Sequence, residues 1–88
     1  MRRVYRKRFL KDLARLPRSA REQVELFAFE TVPLADSLGA TGRIEKLKGF
    51  PDAYKARFGT YRVGMLVEGG TVVLARVLDQ KEIYRFFP

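Results

Sequence analysis

Apolar and polar positions along the chain change period about halfway. Between Lys7 and Leu16, Phe9, Leu10, Leu13 and Leu16 recur three and four residues apart, while Lys7, Lys11 and Arg15 line another face. That spacing predicts a helix, ended by Pro17. Ser19 followed by Glu22 fits a capping box, in which each side chain satisfies a free amide of the first turn. Ala20, Val24, Phe27, Ala28 and Thr31 then continue a helical stripe to about residue 31. Leu26 and Phe29 fall off the stripe, which implies either deep burial, the preferred reading, or a partner surface. Pro33 interrupts the pattern, and Leu34 to Pro51, with Gly39, Gly42 and Gly49, reads as a long loop.

From Ala53 the period becomes two. Three strands, at 54–58, 61–67 and 71–77, are separated by Gly59-Thr60 and Gly69-Gly70, which predicts an antiparallel run with tight hairpins. Arg2 to Arg6 reads as a short charged edge strand. The tail Asp79 to Phe86 has helical propensity but is too short to stand alone, so it packs on the sheet. The fold class is therefore α+β: an N-terminal strand, a two-helix hairpin, a three-stranded antiparallel run completing one twisted sheet, and a short C-terminal helix or turn. Its 88 residues make one domain, 1–88, with no internal repeat.

Composition removes whole classes of chemistry. The chain has no Cys and no His, so disulfides, thiolate nucleophiles, the usual zinc sites and histidine general bases are excluded. No apolar run reaches membrane-spanning length, and MRRVYRKRF lacks the apolar core of a secretory signal, so the expected compartment is the cytoplasm, with no membrane partner. Eighteen Lys and Arg against ten Asp and Glu leave a net charge of +8, which attracts polyanions. Nine of the basic residues lie in residues 1–21, whereas residues 22–45 are acidic on balance.

In strand 54–58, alternation puts Tyr54, Ala56 and Phe58 on one face and Lys55 and Arg57 on the other. A two-residue turn at Gly59-Thr60 sets Arg57 opposite Arg62, and like charges so placed weaken a sheet. The face is either an anion site whose ligand offsets that repulsion or a solvated surface whose long side chains splay apart. Gly64 lies on the same face, where it admits a ligand backbone or marks a bulge. Arg76 joins that face if the Gly69-Gly70 loop has three residues and leaves it if the turn has two. The scattered carboxylates Asp52, Glu68, Asp79 and Glu82 have no metal-ligand spacing. RNA cleavage through the substrate's own 2′-OH remains feasible without metal or cofactor, because cations can stabilise the phosphorane while Lys, Tyr or Arg moves protons.

The string Lys46-Leu47-Lys48-Gly49-Phe50-Pro51-Asp52-Ala53-Tyr54-Lys55-Ala56-Arg57, then Tyr61-Arg62-Val63 and Glu82-Ile83-Tyr84, resembles the RelE/ParE toxin superfamily of type II toxin–antitoxin systems. The resemblance covers essentially the whole chain, and the order of elements fits. It implies a ribosome-dependent mRNA endoribonuclease that inhibits translation, monomeric when free and held inactive by an acidic antitoxin. It assigns Lys55 and Arg57 to proton transfer and phosphate stabilisation, Arg62 to the transition state, and Tyr84 to base stacking or proton transfer. Many relatives carry a His-Arg or Lys-Arg pair before that tyrosine, where this chain reads Asp79-Gln80-Lys81. Lys81 or Arg76 is the candidate replacement cation, and both, with Lys48, are candidates for RNA contact. A ParE-like gyrase inhibitor, or a decayed toxin that only binds RNA and antitoxin, is the alternative.

Overall fold

The computed structural model describes residues 1–88 as one five-stranded sheet with a helical hairpin on one face. The elements run β1 (Arg2–Tyr5), α1 (Lys7–Ala14), α2 (Arg18–Leu26), α3 (Val32–Leu34), β2 (Ile44–Lys46), β3 (Ala53–Phe58), β4 (Tyr61–Glu68), β5 (Thr71–Asp79) and α4 (Ile83–Phe86). The strand order is β1-β5-β4-β3-β2, with β1 parallel to β5 and every other pair antiparallel. The α+β architecture read from the periodicity is the one observed, with one strand more, because β2 lies inside the stretch read as loop. No helix is long and apolar enough to cross a membrane.

Period-two alternation gives β3, β4 and β5 one apolar face, and the stripe of each helix lies on it. Phe9, Leu13, Leu16, Val24, Phe27, Ala28 and Val32 pack against Ala56, Phe58, Val63, Met65, Val72, Leu74 and Val77 in the main core. Between α2 and α3 the chain makes one π-helical turn, Phe27–Thr31, in which Val32 N–H donates to the Phe27 carbonyl. The extra residue in that turn slips the stripe by one, so that Val32, fully buried, takes the position the α period assigned to Thr31. Two further expectations for this helix are corrected. Its N-cap is Pro17 with no side-chain cap, and Glu22 instead pairs with exposed Arg18 at 2.9 Å, so no capping box forms. Leu26 and Phe29 are not deeply buried but stand in solvent, along with Leu10 and Leu34, because the helix has the sheet on one side only.

The second face of the sheet carries the site. A smaller core of Leu47, Ala53, Ala75, Ile83 and Phe87 forms there, where α4 folds back over β4 and β5. Gly64 allows it: a Cβ at that position would sit 2.6 Å from Phe87 Cγ, so the ring fills the space a side chain would need. The Gly69-Gly70 turn has two residues, pairing Glu68 with Thr71, but a bulge at Ala75 shifts the later register so that Arg62 faces Leu78 and Gly64 faces Arg76. The turn is thus the two-residue one, yet beyond the bulge the register is the one a three-residue loop would give, and Arg76 joins the face of Gly64.

Candidate active site

The Gly59-Thr60 hairpin forms as its composition predicts, so Arg57 lies opposite Arg62 and Phe58 opposite Tyr61. Lys55, two residues before Arg57, shares its face and sits opposite Gly64. The Lys55 ammonium donates to the phenolic oxygen of Tyr84 and lies 4.9 Å from the centre of its ring. Tyr84 projects from α4 into solvent, 61% exposed, because its neighbours Ile83 and Phe87 anchor the helix and leave this ring free. An ammonium, a phenol and a half-open cationic surface thus meet at one point.

Glu45 on β2 stands opposite Lys55 in the sheet, its carboxylate 3.8 Å from the ammonium. Arg57 is exposed and takes part in no ion pair, and it borders a shallow depression of about 300 Å³ with Arg43, Ile44 and Glu45. Arg43 also donates to the Arg57 carbonyl at 3.3 Å. Periodicity carried no signal for Glu45 or Arg43, since both belong to or border the three-residue strand hidden in the glycine-rich stretch.

Arg62 behaves differently from its neighbours. It is 8% exposed, and its guanidinium donates to the Gly59 carbonyl at 2.7 Å, the Tyr61 carbonyl at 3.0 Å and Gln80 Oε1 at 2.9 Å. The backbone of Gln80 is itself fixed, its N–H donating to the Thr60 carbonyl at 2.7 Å. Backbone carbonyls and an amide therefore offset the Arg57–Arg62 repulsion, and no ligand is needed for that purpose. Gln80, which the sequence marked only as a departure from a basic pair, is the side chain that orients Arg62.

The three further cations lie apart from this centre. Lys48 is exposed in the connection between β2 and β3, and Lys81 is exposed in the turn before α4, its N–H bonded to Asp79 Oδ1 at 2.8 Å. Arg76 leans over the edge of β5 to Asp12 of α1, with Nε and Nη2 at 2.7 and 3.2 Å from the two carboxylate oxygens. Asp12 also accepts the Val77 N–H at 3.2 Å, closing the part of the β5 edge that β1 is too short to cover. The Asp12 hydrogen bond raises the Arg76 pKa, against a smaller opposing effect of burial, and the Asp12 charge adds to the rise.

A helical hairpin on one side of an open sheet is the fold of a class of small toxins solved with and without their antitoxins. The chain is similar to the toxin–antitoxin complex RelB-RelE of Methanococcus jannaschii, with a TM-score of 0.81 at 36% identity over 97% of this chain and 99% of that one. It is also similar to the RelBE2 complex of Mycobacterium tuberculosis, at TM-score 0.65 and 26% identity over 89% and 95% of the two chains. In sequence it is 37% identical to Toxin RelE3 of Methanocaldococcus jannaschii over 86 residues, 97% of each chain. Residues 4–84 match the family model described as the ParE toxin of the type II toxin–antitoxin system parDE. The chain belongs to the RelE/ParE toxin superfamily of type II toxin–antitoxin systems.

Proposed function

We propose that this toxin is an mRNA endoribonuclease that cuts message on the ribosome by directing the RNA's own 2′-OH against the adjacent phosphate, and so stops translation. The contact of Lys55 with Tyr84 on an open cationic face carries this reading. A phenol held by an ammonium can lie against a base and pass a proton, while Lys55 and Arg57 stabilise charge that develops on the phosphorane. Because the nucleophile belongs to the substrate, the protein's task is positioning, and no group of three acidic side chains is assembled to hold a metal.

In this reading Arg62 acts from beside Arg57, its charge held in place by the Gly59 and Tyr61 carbonyls and Gln80, and Lys48 and Lys81 add to the attraction for RNA. The cytoplasm, where ribosomes work, is the site of action. The solved relatives carrying RelB support a cognate antitoxin, and the acidic segments of such a partner suit the same cations. The free toxin is read as a monomer.

The engagement of Arg62 by three internal acceptors favours a second reading, a ParE-like inhibitor of DNA gyrase that cleaves nothing. Programmed ribosomes and a supercoiling assay separate the two. Cleavage of message within the ribosomal A site, with supercoiling unaffected, is the expected result; intact message with gyrase inhibited would replace the first reading with the second.

A further inference from the structure

We infer that a second nucleic-acid contact runs along the outer face of α1 and the part of β5 that lies beyond β1, on the other side of α4 from Lys55 and Tyr84; the identity of its ligand as RNA rests on the function proposed above. Arg8, Lys11 and Arg15, on one side of α1, border with Arg76 a depression of about 230 Å³. A second depression, about 300 Å³, continues from it between Arg6, Arg8, Arg76 and Phe86. The two share Arg8 and Arg76 and so form one trough.

The charge of the trough is unbalanced. Asp12 is its one acid, and both of its oxygens are taken by Arg76 and the Val77 N–H. Arg6, Arg8, Lys11 and Arg15 are all exposed and enter none of the chain's ion pairs. Lys7, Lys11 and Arg15 follow one another at four-residue spacing, an arrangement that weakens a helix and so does not serve folding. At the far end the Phe86 ring is 49% exposed, with Arg76 5.3 Å and Arg85 5.5 Å from its centre.

Cations in a row with an open aromatic ring at one end match a single strand, whose phosphates meet the cations while a base stacks on the ring. An acidic peptide would use the cations and leave the ring idle. The two faces meet at α4, which turns Tyr84 toward β3 and Phe86 toward β5. RNA crossing this short helix would be held on both sides of the cut.

The test is fluorescence anisotropy of the full chain with a labelled, 2′-O-methylated oligouridylate of about 12 nucleotides, titrated at several salt concentrations. Because this RNA cannot be cut and no ribosome is present, the outcome is independent of whether the protein cleaves message. Arg8→Ala/Lys11→Ala/Arg15→Ala, all at exposed positions, should lower the salt slope by about 2, roughly 0.7 per lost phosphate contact, and weaken binding at least about tenfold. Phe86→Ala should weaken it about fivefold or more, and Phe86→Trp should restore it. Unchanged affinity and slope in the triple variant, with its melting profile intact, would overturn the inference. So would polyglutamate that binds as tightly as RNA, is weakened equally by the triple variant and is indifferent to Phe86→Ala, because the trough would then belong to an acidic protein partner.

Discussion

Gly64→Ala joins the packing of the sheet to the geometry of the site in one methyl group. Gly64 has no positive φ, so alanine meets no backbone strain there, and the effect comes from contact alone. The added carbon would lie 2.6, 2.7 and 2.9 Å from three carbons of the Phe87 ring, about 1 Å inside the usual carbon–carbon separation. The ring cannot turn aside freely, since it is 3% exposed and lodged among Leu47, Ala53, Ala75 and Ile83. Either β4 shifts, as in an overpacked core, at about 1–3 kcal/mol, or Phe87 leaves its place and forfeits a burial of about the same size. A cost of about 2 kcal/mol lowers the melting temperature by about 8–16 °C in a domain of this size. Displaced Phe87 also frees α4 and draws Tyr84 from Lys55, so RNA cleavage should fall at temperatures where the variant is still folded. Calorimetry with a double-mutant cycle is the assay. Phe87→Ala alone costs about 3–5 kcal/mol, and Gly64→Ala added to it should cost almost nothing more, because the obstacle is gone. A neutral Gly64→Ala, or one whose cost simply adds to that of Phe87→Ala, would refute the reasoning.

Three other variants test separate parts of the structure. Asp12→Ala leaves a largely buried guanidinium and the Val77 N–H without an acceptor, for a loss of about 3 kcal/mol in urea unfolding, and Asp12→Leu/Arg76→Met should recover most of it. Since the Asp12 bond raises the pKa of Arg76, this gap in stability should stay constant from neutral pH upward until arginine itself deprotonates. Gln80→Ala takes one acceptor from buried Arg62 and should lower stability by about 1–2 kcal/mol in the same measurement; an unchanged urea midpoint would mean that Gln80 does not position Arg62. Arg57→Ala, at an exposed position, should leave the melting temperature within about 4 °C while slowing cleavage at least about tenfold.

How much of this was legible in the chain depended on whether local chemistry or tertiary context decided each feature. Gly59-Thr60 fixes its own hairpin, so the opposition of Arg57 and Arg62 and the shared face of Lys55 followed from counting. The match of the tyrosine motif, rather than any periodicity, brought Tyr84 to that face. Strand β2 escaped because three residues with one apolar side chain, Ile44–Lys46, carry no detectable period, and with it went Glu45. The bulge at Ala75 falls opposite the Gly64–Met65 step, where the glycine was read as marking either a bulge or a ligand's approach, but a glycine does not say which strand carries the extra residue or how the register continues. Arg62 was read as a free cation like Arg57 because alternation reports a face, not what lies on it; the carbonyls of Gly59 and Tyr61 and the Gln80 amide that enclose it come from a turn and from a segment eighteen residues on.

The claim on which the functional account stands is that the attacking group is a hydroxyl of the RNA, aided by the Lys55–Tyr84 pair. It is tested most directly with ribosomes programmed with two messages, identical except that one carries a 2′-deoxyribose at the position of the cut. The account predicts that the protein cleaves the all-ribose message and leaves the substituted one intact, and that Lys55→Ala and Tyr84→Phe each slow cleavage of the first. Equal cleavage of the two messages would contradict it.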